Sequence, residues 1–240
     1  IGKWLHAGVM EEGKLSRPQA GSPQGGVISP LLSNIYLHGV MDSWFEEQVK
    51  PRLKGRAAMV RFADDAVMMF EYQEDMQRFM EVLPKRLAKF GLKLNEQKTR
   101  VKGFTKPREP YEAKPDTFNF LGFTHYWGRS RKGNWVIKRK TQQARLTLAL
   151  KKITLWCRKH RHDPIYDQQQ MLNSKLRGHY SYYGITPNSR SITLFWEQVK
   201  RIWMKWLNRR SRNPHLNWDK FNLLLKRYPL TKPRIYHSFI

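Results

Sequence analysis

The sequence predicts an α+β fold that gives way to an all-helical part near residue 140. Three observations predict it. Two short apolar runs, 57–62 and 66–70, meet at Ala63-Asp64-Asp65 and read as a hairpin with an acidic tip. A second pair of runs, 118–126 and 134–138, is bridged by a basic turn over 128–133. After Lys140 the apolar residues recur at helical spacing almost to the end of the chain. The 240 residues are enough for one large domain or two small ones, each with a core. The expected division is 1–140 and 141–240.

Each element has a local reason. Residues 1–9 read as a short amphipathic opening and 13–23 as a polar loop. Ser29 as N-cap and Pro30 at the first helical position predict a helix over 30–48, with Leu32, Ile35, Tyr36 and Val40 at helical spacing and a break at 51–55. Asp75 reads as the cap of the next helix, which carries Met76, Phe79, Leu83, Leu87 and Phe90 on one face and stops at Gly91. Pro84 should kink that helix or start it afresh. An extended stretch is expected within 91–103 and a loop over 106–116. Leu146, Ala149, Ile153 and Trp156 line the first helix of the second part. The others are expected over 165–182, 191–210 and 218–228, the third with Val199, Ile202, Trp203 and Trp206 inward.

Charge separates the two parts. Lys and Arg number 45 against 19 Asp and Glu, for a formal net charge of +26. Residues 1–120 carry 19 basic and 15 acidic residues, a net of +4, whereas residues 121–240 carry 26 and four, a net of +22. Seven of the nine Trp lie in that second half. A positive field mixed with flat rings suits a phosphate backbone with accessible bases. A merely solubilising surface mixes signs, and a membrane-surface binder gathers its aromatics on one stripe. The stripes Arg145, Lys152, Lys159 and Arg201, Lys205, Arg209, Arg212 are therefore the candidate nucleic-acid-binding residues. One cysteine, Cys157, excludes an internal disulfide framework and a multi-thiolate zinc site. No apolar run approaches a membrane span, so no membrane partner is expected. The chain opens at Ile1 without a signal-peptide pattern, and the expectation is a piece of something longer.

Two adjacent carboxylates on a tight turn repel each other. A divalent cation removes that penalty, and Mg²⁺ favours carboxylate oxygens together with substrate phosphates. Two such ions can activate a 3′-hydroxyl and stabilise a leaving pyrophosphate. Asp is also common in solvated turns, so the dipeptide alone leaves both readings open. Gly21-Ser22-Pro23-Gln24-Gly25-Gly26 offers unobstructed backbone N–H groups, and Gln24 can hydrogen-bond a base or sugar edge. The segment lacks the Gly-Lys-Ser/Thr of a phosphate-binding loop, which excludes that class of nucleotide hydrolase.

Taken together these segments resemble group II intron reverse transcriptases. Residues from Gly21 to Asn34 look like that family's fourth motif, and Phe62-Ala63-Asp64-Asp65 looks like the polymerase active-site box. The sixth motif has its counterpart in Gly91-Leu92-Lys93-Leu94-Asn95-Glu96-Gln97-Lys98-Thr99, and the seventh in Phe118-Asn119-Phe120-Leu121-Gly122-Phe123. Arg177-Gly178-His179-Tyr180 and Pro233-Arg234-Ile235 resemble the thumb, or maturase X region. The resemblance implies a partial right-hand polymerase palm, an antiparallel sheet with helices, followed by an all-α thumb. It implies that Asp64 and Asp65 bind catalytic Mg²⁺ and that Phe62 and Ala63 floor the primer end. It places Gln24 and Gly25 at the template or incoming nucleotide, Lys98 near phosphates, and Leu121 and Gly122 in the primer grip. Lys98 as a solvated lysine and Gly122 as a strand bulge stay open. The histidines lack ligand spacing.

The family's third palm aspartate and its fingers lie upstream of the matched motifs, and Asp42 on the following helix is a poor substitute. The expected partners are structured intron RNA, an RNA template with a DNA primer, deoxynucleoside triphosphates, and a partner chain that supplies the missing parts. The leading expectation is an RNA-directed DNA polymerase fragment with maturase-type RNA binding in the bacterial cytoplasm. A non-catalytic splicing maturase and a CRISPR- or defence-associated reverse transcriptase are the alternatives.

Overall fold

The computed structural model describes residues 9–11, 14–16, 28–108, 115–211 and 216–238. The chain divides into two compact units, Ile1–Val101 and Lys102–Ile240. This division falls before the composition change near residue 140, because the second pair of strands groups with the helices.

The first unit opens with β1 (Val9–Glu11) and β2 (Lys14–Ser16), an antiparallel pair where a polar loop was expected. Helix α1 spans Ser29–Leu37. Its N-cap is Ile28 rather than Ser29, without a side-chain cap, and Pro30 sits in the first turn. The helix continues through two wider π turns, His38–Asp42 and Phe45–Val49, and closes in a tight turn at Lys50–Arg52. In a regular α-helix the nine steps from Val40 to Val49 would advance about two and a half turns, and the two side chains would face opposite ways. The i→i+5 turns bring both inward, where they are buried with Trp44 and Phe45. Ile35 and Tyr36, expected on the buried face, are exposed instead.

Strands β3 (Ala57–Phe62) and β4 (Asp65–Phe70) form the expected antiparallel hairpin. Helix α2 (Gln73–Lys89) is not restarted by Pro84, which lies inside it, and buries Phe79, Leu83 and Leu87 against the α1 continuation. Asp75 does not cap it. The cap is Tyr72, and the buried Asp75 carboxylate accepts from the backbone N–H groups of Lys54 and Gly55 at 3.2 and 2.9 Å. Those bonds hold it below the usual carboxylate range. At the C-terminus Leu92 N–H reaches Leu87 O and Gly91 N–H reaches Ala88 O, with Gly91 at φ +67°. This is a Schellman stop, which favours glycine because an L side chain is strained there. The stretch 92–101 forms no strand.

In the second unit β5 (Phe118–Phe120), β6 (Phe123–Arg129) and β7 (Trp135–Thr141) make an antiparallel sheet in that order. The single expected run 118–126 is broken by a two-residue turn at Leu121-Gly122. Four helices follow: α3 (Gln143–Lys159), α4 (Ile165–Tyr183), α5 (Ser189–Leu207) and α6 (Trp218–Arg227). They enclose Leu172, Leu176, Tyr180, Val199, Trp203 and Phe221. Trp203 donates its indole N–H to Gln168 Oε1 at 2.9 Å, so it is core rather than a stacking platform. Cys157 is fully buried on α3, and burial pushes its thiol up to about 12. His179 stacks on Phe195 at 3.8 Å, and burial pushes its imidazole down to about 4.

Buried Asn188 joins sheet to helices. It accepts from Thr141 N–H at 2.8 Å, and its amide donates to Thr141 Oγ1 at 2.8 Å and Tyr183 O at 2.9 Å. Beyond α6 the chain lies along α4, where Gln169 and Asn173 donate to Pro229 O and Tyr180 Oη donates to Thr231 O.

Candidate active site

Strand pairing runs from Ala57↔Phe70 to Phe62↔Asp65, which leaves Ala63 and Asp64 as a two-residue turn. Asp64 therefore occupies the tip and Asp65 begins β4. Both are exposed. Neither carboxylate meets a hydrogen-bond donor or cation among the described residues, whereas Asp42, Glu71 and Asp75 of the same unit all do. Ala63 takes φ +52°, a left-handed conformation that hairpin turns usually assign to Gly, Asn or Asp. Phe62, the last residue of β3, is 63% exposed.

The turn is held from behind. Arg61 alternates inward on β3, with its side chain only 10% exposed. Its guanidinium donates to both Asp42 carboxylate oxygens at 2.7 and 2.6 Å, to Asn34 Oδ1 at 3.0 Å and to Ala63 O at 2.8 Å. Arg61 holds the Asp42 carboxyl below its usual range against the opposing effect of burial, with a further contact from His38 at 3.2 Å. The Arg61 pKa is raised in turn by the Asp42 hydrogen bonds. Asp42 is thus engaged by an arginine rather than open to a cation. Sequence reasoning missed this pair, although an arginine in the inward phase of an apolar strand was a signal for it.

The donor set fits a hard cation in part. Two unpaired carboxylates supply the oxygen chemistry Mg²⁺ prefers, and Mg²⁺ completes its shell with water and substrate phosphates. Among the described residues no group of three or more His, Cys, Asp or Glu comes together to hold a metal.

The remaining candidates fall elsewhere. Lys98 lies exposed in a turn closed by Lys98 and Thr99 N–H bonds to Asn95 O at 3.1 and 2.9 Å. Gln24, Gly25 and Arg212 lie outside the described residues. Leu121 and Gly122 belong to the second unit, at φ +48° and +74°, the geometry of a type I′ turn rather than a bulge. Tyr182 Oη donates to Leu121 O at 2.9 Å, and a Cβ on Gly122 would lie 2.8 Å from Tyr183 Oη. Arg145, Lys152 and Lys159 on α3, Arg201 and Lys205 on α5, and Arg209 in the turn just beyond it are all exposed, and none pairs with an acid among the described residues. Trp206 is half-buried beneath Arg209, whose guanidinium lies 5.1 Å from the ring centre. His125 is half-buried and stacked on Phe118, and burial lowers its pKa.

Residues 1–125 match the family described as reverse transcriptase (RNA-dependent DNA polymerase), and residues 146–223 match the group II intron maturase-specific domain. The chain belongs to the group II intron reverse transcriptase/maturase family. Among curated proteins it is similar to the group II intron-encoded protein LtrA of Lactococcus lactis subsp. cremoris and to the same protein from strain MG1363. Each is 32% identical over a stretch that covers 32% of this chain and 16% of the relative. No helix among the described residues is long and apolar enough to cross a membrane.

Proposed function

We propose that this chain contributes the downstream palm and the thumb of an RNA-directed DNA polymerase that also binds structured intron RNA. The observation that carries this reading is the pair of unengaged carboxylates, Asp64 and Asp65, on a turn gripped from behind by Arg61. Asp64 and Asp65 hold the divalent ions, whose charge eases 3′-hydroxyl attack and pyrophosphate departure when bound. The two-residue turn and the exposure of both acids leave them open to an approaching nucleic acid end. The exposed cations of α3 and α5 clasp phosphates, which the four acids of residues 121–240 are too few to neutralise.

A second reading, a splicing maturase without polymerase activity, is favoured by the match of residues 146–223 to the maturase-specific domain and by the exposed cations there. It needs only the basic helices and recognition of RNA shape. Purified 240-residue chain should bind structured RNA yet fail to extend a primer with Mg²⁺. Restored to a complete polymerase, it should lose extension on replacement of Asp64 and Asp65 by Ala while splicing assistance persists. Robust extension by the chain alone refutes the fragment reading. Equal loss of splicing refutes the separation of roles.

A further inference from the structure

The acidic turn is not held by its own sequence. Its left-handed position is filled by Ala63 rather than a residue suited to that conformation, and Asp64 and Asp65 bring like charges together. Something outside the turn must fix it. Among the described residues Arg61 reaches it, through a 2.8 Å bond to the Ala63 carbonyl. The guanidinium is itself fixed by Asp42, which it grips through two nitrogens, and by Asn34. Asp42 in turn stands in the π turn His38–Asp42. Arg86 of α2 donates to the Val40 and Gly39 carbonyls of that turn at 3.1 and 3.3 Å. Hydrogen bonds at both ends of this π turn, joined by its backbone, therefore link α2 to the backbone of the acidic tip.

We infer that Arg61, anchored by Asp42, is a positioning residue for the metal-binding turn: it fixes the Ala63 backbone and so the separation and direction of the Asp64 and Asp65 carboxylates. This inference rests on the proposed metal role of those two acids. Its sign is unusual. A guanidinium beside a cation site repels the cation, so an arginine acting through charge alone would weaken metal binding. An arginine acting through position strengthens it. Outer partners that orient ligands typically contribute 10–100-fold in metal affinity, and this arrangement meets that description.

The test titrates Mn²⁺ alone into the 240-residue chain, with free Mn²⁺ followed by electron paramagnetic resonance and line-broadening of the Asp64 and Asp65 amides by NMR. Circular dichroism melts confirm folding of each variant. The Asp64→Asn/Asp65→Asn double variant should lose the specific Mn²⁺ site. Arg61→Lys, which keeps the charge but not the fork, should weaken that site by about tenfold or more, as should Asp42→Asn. Should Asp42→Asn fail to fold, Arg61→Lys and Asn34→Ala, which removes one anchor of the guanidinium and should weaken the site in the same direction, carry the comparison. Unchanged or tighter Mn²⁺ binding in Arg61→Lys and Asp42→Asn, with the site still lost in the double Asn variant, overturns the positioning role alone. Mn²⁺ binding that survives the double Asn variant overturns the metal role of the turn, and the positioning role with it.

Discussion

Replacing Arg201, Lys205 and Arg209 together by Gln should flatten the salt dependence of RNA binding. With Arg145, Lys152 and Lys159 they make six exposed cations without an acidic partner among the described residues. If each touches one phosphate, the slope of log K against log salt is about −0.7 to −0.9 per contact, or about −4 to −5 for the set. Affinity then falls roughly a thousandfold between 50 and 200 mM salt. Removing three contacts halves the slope and reduces that loss to about thirtyfold. All three are exposed, so their replacement should shift stability by no more than about 0.5 kcal/mol each. The loss of the Arg209–Trp206 ring contact is the largest of these effects. Fluorescence anisotropy of a labelled structured RNA across a salt series gives both slopes. A triple variant whose slope stays within about 0.5 of the parent would show that α5 and the turn after it do not form a phosphate-binding face.

Asn188→Ala should destabilise the second unit by about 3 kcal/mol, because three hydrogen bonds at 2.8–2.9 Å vanish and Thr141 N–H is left buried without a partner. A urea midpoint shift worth less than about 1 kcal/mol would show that Asn188 does not join sheet to helices. Burial holds the His179 imidazole at about 4, below its unfolded value, so the unfolded chain binds the extra proton between those limits. Stability should therefore fall as pH drops from about 6.5 towards 4, by about 3 kcal/mol in full, and His179→Phe should remove most of that slope. His125, also held low by burial, leaves a smaller slope of the same sign. Urea midpoints at several pH values for both proteins decide this, and identical slopes would refute it.

Features set by local chemistry were legible in the sequence. Two short apolar runs meeting at an acidic dipeptide marked β3 and β4, and the glycine after a helical stripe marked the end of α2. The helices of the second unit followed from their 3.6-residue period, and Trp203 proved as buried as its stripe implied. What escaped is tertiary. The π turns after Leu37 exist because Val40 and Val49 must share one core, which no local propensity encodes. Leu121 carries no mark of a left-handed residue beyond the glycine that follows it. Asp75 looked like a cap but serves a loop twenty residues upstream. Asp42 could be set aside as a third ligand from its place on the helix, yet its arginine partner lies 19 residues away and became visible only in the folded chain.

The burial of Cys157 bears on how this protein can be followed in motion. It is the sole cysteine of the chain, and with its thiol pushed up to about 12 it presents almost no nucleophilic thiolate at neutral pH. A second cysteine engineered on any exposed helix face would therefore capture a maleimide fluorophore by itself. The native background already behaves as thiol-silent, and removing Cys157 to obtain one would only open a void between α3 and its neighbours.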